Sequence, residues 1–175
     1  MLRSTIVLLS GLLLPQAAYA APPKELYGKS VSVTWTETRE QRPAGEQAWR
    51  QVVGTVTLNM YVSEAGRVFN NVSYATRRGS AERQGEIAGS GKRSINFNGR
   101  SLLVLMPYGS AGATRIVADI DAGFASCSAQ VTRARESEGA IIRFKSGITN
   151  NIVEIKSNQV GGISCSIRAG NVFAN

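Results

Sequence analysis

Asp119 and Asp121 stand two positions apart in a stretch that reads as a strand, so their side chains project to the same face. Carboxylates placed in this way could share a divalent cation or divide an acid–base task, yet two of them supply too few ligands for calcium. The preferred reading is a solvated strand end running into the turn Asp121-Ala122-Gly123. Glu136 and Glu138 follow Arg133 and Arg135 in a polar segment, where local charge balance explains them. Sugar hydrolysis needs two carboxylates facing each other across a cleft, which sequence spacing neither reveals nor excludes. Gly89-Ser90-Gly91-Lys92 makes a poor phosphate loop, because the first glycine is missing and Arg93 stands where Ser or Thr is required.

The cationic residues form the stronger pattern. Arg77, Arg78, Arg83, Lys92 and Arg93, with Arg100 beyond them, cluster in and around a glycine-rich segment. Guanidinium groups bind phosphate and carboxylate in bidentate fashion, so these residues are the candidate anion-binding set, diluted by Glu82 and Glu86. No aromatic residue lies between Arg77 and Ser94, and without a stacking platform specific nucleic-acid binding is not expected. Trp35, Trp49, Tyr61 and Tyr74 could line the mouth of a barrel and stack on an apolar or sugar ligand, although Trp35 reads as core and Trp49 sits in a polar stretch.

Absences narrow the chemistry further. There is no histidine, which removes Ser-His-Asp and Cys-His hydrolysis, His-ligated zinc and imidazole switching. The two cysteines, Cys127 and Cys165, are too few for a thiolate metal site and too far apart for a Cys-x-x-Cys redox pair. One structural disulfide is the expectation in an oxidising compartment, and neither metal nor cofactor is expected.

The elements that must position these groups begin after a leader. Arg3 precedes the apolar run of residues 6–14, and Ala18-Tyr19-Ala20 offers a small-x-small cleavage site, the layout of a secretory signal peptide over residues 1–20. The apolar run is far short of the ~20 residues that cross a bilayer as a helix. Residues 21–27, opening with Ala21-Pro22-Pro23, read as a disordered lead-in, and residues 28–175 as one domain. With 20 Lys and Arg against 12 Asp and Glu, a formal charge of +8, the chain favours polyanions as partners.

Period-two alternation dominates that domain. Val31, Val33 and Trp35 share a face; so do Val56, Leu58, Met60 and Val62, then Val68, Val72 and Tyr74 after the turn Glu64-Ala65-Gly66. Residues 77–92 read as a long mobile loop, and Asn98-Gly99 as a tight hairpin turn. Residues 101–106 are apolar on both faces, which predicts burial from two sides. Ala125, Cys127, Ala129 and Val131 alternate inward; residues 140–144 and 152–155 are short candidates, and Ile163, Cys165 and Ile167 close the pattern. The fold class is therefore all-β: one antiparallel domain, an up-and-down barrel in preference to a β-sandwich.

Gly28-Lys29-Ser30, Trp35-Thr36-Glu37-Thr38-Arg39 and the run of residues 61–69 resemble small exported bacterial proteins of no assigned activity. The resemblance implies a periplasmic or secreted setting and carries no site residues with it. In size and strand count the chain is also similar to lipocalin and avidin barrels, but Gly28 and Trp35 lack the close spacing of their first strand. The expected function is that of a non-catalytic exported β-domain binding a small or anionic envelope ligand. The alternatives are a module that binds an envelope protein and a carboxylate-dependent hydrolase of cell-wall glycan.

Overall fold

The computed structural model describes residues 21–86, 94–107, 109–110, 112–135 and 139–174, and within them every side chain except those of 81–86 and 135. The leader at residues 1–20, Lys92 and Arg93, and the acidic pair Glu136 and Glu138 lie outside the described residues. The strands are β1 (Lys29–Pro43), β2 (Arg50–Val62), β3 (Val68–Thr76), β4 (Gly79–Glu86), β5 (Ser94–Asn98), β6 (Ser101–Pro107), β7 (Gly112–Ile120), β8 (Cys127–Arg135), β9 (Ile142–Lys145) and β10 (Ile152–Ala169). The fold is all-β, with helical structure among the described residues confined to a short 3-10 turn at Lys24–Leu26. Leu26 on that turn is fully buried, so packing starts ahead of Gly28 rather than after a disordered lead-in.

All pairings are antiparallel and fall into two sheets, β4-β3-β2-β1-β10-β9 and β5-β6-β7-β8. Neighbours in sequence pair as hairpins, while the first strand, β1, pairs with both β2 and the last, β10. Val31, Val33 and Trp35 from β1, Val56, Leu58, Met60 and Val62 from β2, Leu102 and Val104 from β6, and Ile116 and Ala118 from β7 meet in one apolar core between the sheets. Each such side chain removed from water contributes about 1.5–3 kcal/mol. A disulfide joins Cys127 on β8 to Cys165 on β10, with Cα atoms 5.4 Å apart, and ties one sheet to the other.

The direction of β8 follows from two contacts. Cys127 meets Cys165, which pairs with Val33, whereas Arg133 reaches Glu37, which pairs with Val160. Progress along β8 thus runs backwards along β10, so the two strands joined by the disulfide run in opposite directions.

The larger sheet curls at its far end. Arg39, on central β1, stacks over the Tyr74 ring on β3 at 4.1 Å and lies 5.6 Å from the Phe144 ring on β9, so strands from both flanks close around it. Ile148, in the turn before β10, comes against Gly79 where β4 begins.

Three further expectations change here. Residues 79–86 form β4 rather than the start of a long loop, because their backbone completes a ladder with β3 from Phe69↔Glu86 to Thr76↔Gly79. β6 is buried on one face only: Leu102 and Val104 are covered, whereas Leu105 is 38% exposed, since a second layer covers just one side of this sheet. The two candidates at 152–155 and 162–168 are one strand, β10, whose pattern is interrupted by two register shifts, one at Lys156 and one opposite Trp35. Gly162 adopts φ +57° there, a conformation that suits glycine, and the extra residue turns Ile163 out to 38% exposure.

Candidate functional site

β1 keeps its alternation beyond the apolar core, and this carries charge inside. After Val31, Val33 and Trp35 the same face presents Glu37, fully buried, and Arg39, 4% exposed. The inward face of β8 likewise runs from Cys127 through Val131 to Arg133, a side chain only 10% exposed. Glu37 accepts from the Trp35 indole Nε1 at 2.9 Å through Oε1 and from Arg39 Nε at 2.7 Å through Oε2, and it pairs with Arg133 through the same Oε1 that faces Trp35. The Glu37 carboxylate thus engages two guanidinium groups, those of Arg39 and Arg133, on the inward face. Burial pushes Arg133 down to about 9, which still leaves it charged at neutral pH.

Tyr74 covers the second arginine. Its ring occupies the space left by Gly54, where a Cβ would run into the ring and hydroxyl. Burial raises the phenol above its ordinary value, with the positive charge of Arg39 opposing the shift. Tyr74 Oη and Thr114 Oγ1, the latter across the ladder from Arg133, are buried without a protein partner among the described residues.

Beyond this cluster the curled sheet opens into a cleft of about 1100 Å³. Its walls are the far ends of β1 and β2, the β3–β4 turn and the turn before β10. Arg42, Arg50, Arg77 and Arg78 line it, against a single carboxylate among the described residues, Glu46. Two of the four are engaged: Arg42 Nε donates to Glu154 at 2.8 Å and stacks on Trp49 at 4.3 Å, and Arg50 lies 3.5 Å from Glu46 in an exposed pair. Arg77 and Arg78 are exposed on the tight turn between β3 and β4, and neither side chain pairs with a carboxylate among the described residues. Glu154, nearly buried, accepts from Arg42 and from Arg143 Nε at 2.9 Å; these bonds hold its carboxyl below the usual range despite its burial.

The basic set read from sequence is therefore divided. Arg77 and Arg78 reach the cleft; Arg83 lies on β4, with a side chain outside the described residues, as are Lys92 and Arg93 altogether. Arg100 sits in the β5–β6 turn beside Asp121, away from the cleft lining. Alternation in the sequence carried a usable signal for Glu37 and Arg39, whose parity matches Trp35; nothing local marked Arg42, Arg50 or Glu154 as neighbours.

The aspartate pair is not assembled for chemistry. Asp121 accepts from the backbone N–H groups of Ala125 at 2.8 Å and Ser126 at 3.0 Å, which closes the turn and, with the Ser126 bond foremost, lowers its pKa. Asp119 is exposed on β7 opposite Ser128. Among the described residues, no group of three or more His, Cys, Asp or Glu side chains is placed to hold a metal ion. Comparison with protein-family models, curated protein sequences and solved structures finds no match.

Proposed function

We propose that this protein is a non-catalytic binding domain for an anionic ligand, held at the open end of the curled sheet. The observation that carries the reading is the pair Arg77 and Arg78, exposed on the rim of a cleft that two further arginines share; among the described residues neither pairs with a carboxylate and Glu46 alone is acidic in the lining. Paired guanidinium groups in a partly enclosed site favour phosphate or carboxylate through charge-assisted hydrogen bonds. An exported setting fits this reading, since the leader-like N-terminus addresses the chain outward and the Cys127–Cys165 disulfide suits an oxidising compartment. A heparin column and titration with pyrophosphate test it. Retention should fall with salt, and Arg77→Ala/Arg78→Ala should weaken pyrophosphate binding by about tenfold or more. Salt-independent retention, or unchanged affinity in the double variant, rules the reading out.

The two sheets, in the same proposal, form one up-and-down barrel rather than a sandwich, because β8 runs antiparallel along β10 and is tied to it. Slow exchange of the β10 amides that point away from β1, between Gln159 and Arg168, would support closure; fast exchange of all of them would favour a sandwich. A second reading, recognition of an envelope protein, draws on the positions of β4 and β5 at the ends of their sheets, where a partner strand can add. Crosslinking in cells to one protein through these strands would favour it.

A further inference from the structure

The outer face of the larger sheet carries a second concavity, a hollow of about 260 Å³ away from the interior. The register builds it: Glu40 on β1 lies between Ser157 on β10 and Gln51 on β2, and Thr38 lies beside Gln159 one step along. Trp49, just ahead of β2, completes the lining. Its ring is held by the Arg42 guanidinium at 4.3 Å, with Lys156 Nζ 5.9 Å from the ring centre.

The chemistry of this lining is selective. Glu40 is already matched, by Lys156 Nζ at 3.2 Å and the Ser157 hydroxyl at 3.4 Å, so the hollow offers no unbalanced charge for a simple ion. It presents no aliphatic side chain for an apolar ligand. What it does present is hydroxyl and amide groups that both donate and accept, beside one tryptophan ring. Among the described residues the side chains of Thr38, Gln51 and Gln159 make no hydrogen bond to protein. A polyhydroxylated ring matches this set: its hydroxyls pair with the amides, and its C–H face lies against the indole.

The hollow also adjoins the arginine cleft. Gln51 lines both, and Arg42 lines the cleft while stacking on Trp49. We propose that the hollow is a saccharide subsite, so that the anion held by the cleft is the acidic group of an oligosaccharide whose neighbouring ring rests on Trp49. This inference depends on the anion reading of the cleft.

Titration with oligogalacturonate, with its neutral methyl ester and with pyrophosphate separates the two. Trp35 is fully buried, so a ligand-induced change in tryptophan emission reports on Trp49, and the Trp49→Phe variant checks that assignment. Both saccharides should change the emission, the acidic one at lower concentration, while pyrophosphate should bind without a comparable change. Trp49→Ala should weaken both saccharides by about tenfold. Gln159→Ala, which leaves Arg42 and the cleft untouched, should weaken them by roughly threefold to tenfold and spare pyrophosphate. If neither saccharide alters Trp49 emission, or if both variants bind saccharide normally, the subsite is refuted while pyrophosphate binding keeps the cleft reading alive. Oligogalacturonate binding that ignores Arg77→Ala/Arg78→Ala overturns the acidic-oligosaccharide assignment, whereas the cleft reading falls only if pyrophosphate affinity is also unchanged in that variant.

Discussion

The two ends of β1 share one backbone and one alternation but enclose different interiors. Around Val31, Val33 and Trp35 the inward side chains are apolar, the second sheet covers them, and the Cys127–Cys165 bridge joins the sheets. Two positions past Trp35 the inward residues become Glu37 and Arg39, Tyr74 and Phe144 take over the packing, and the curled sheet opens among arginines. Apolar burial favours compaction wherever it occurs, whereas buried charge is tolerated only with partners in place. Under the proposed function, folding stability belongs to the sealed half and ligand contact to the open half, with Trp35 and its bond to Glu37 on the border.

The largest expected effect probes that border. Glu37→Ala removes the carboxylate that Arg39 and Arg133 share in the interior, and urea unfolding should show a loss of about 3–5 kcal/mol. Replacing Glu37, Arg39 and Arg133 together by Leu, Met and Met should restore most of it, because the carboxylate and both guanidinium groups are removed together. A harmless Glu37→Ala would mean that solvent reaches the cluster, and the border would have to be drawn closer to the core.

Next in size is the covalent tie in the sealed half. Cys127→Ser/Cys165→Ser should cost about 2–4 kcal/mol, mostly by freeing the unfolded chain, while pyrophosphate affinity stays unchanged. Parallel losses of stability and affinity would show that the two halves are coupled rather than separable.

A smaller effect belongs to the wall of the cleft. Hydrogen bonds from Arg42 and then Arg143 keep the Glu154 carboxyl below its ordinary range. A depressed folded-state value adds stability that is fully present above the unfolded carboxylate pKa and is lost as pH falls through the folded value. Acid unfolding followed by circular dichroism should therefore move to higher pH in Arg42→Ala, and its dependence on pH should be shallower in Glu154→Gln. Identical acid limbs in all three proteins would remove Glu154 from the account.

Much of the sealed half is legible in the sequence. Hairpins, the Asn98-Gly99 turn, the inward rows of β1 and β2 and the cysteine pair all follow from period-two patterning, turn chemistry and the lack of any other use for two cysteines. β4 escapes such reading because residues 79–86 are polar and glycine-containing, and their strand form depends on pairing with β3. β10 is obscured by two register shifts, at Lys156 and at Gly162 and Ile163, which alter the alternation between residues 155 and 165. The open end is the least legible part. Arg42 and Arg50 are on β1 and β2 while Arg77 and Arg78 are on the β3–β4 turn, and only the curl of the sheet makes them neighbours. Glu37 could have been read inward from its parity with Trp35, but an acidic residue in an alternating strand is ordinarily assigned to solvent.

One paired measurement tests the division of labour most directly: pyrophosphate affinity and urea stability, both determined for Arg77→Ala/Arg78→Ala and for Leu102→Ala. The account predicts that the arginine variant loses binding while its stability stays within about 0.5 kcal/mol of the parent. Leu102, fully buried between the sheets, should show the reverse, a loss of about 2–5 kcal/mol with affinity intact. Full pyrophosphate affinity in the arginine variant would contradict the account, as would a loss of binding that merely follows a loss of stability in both proteins.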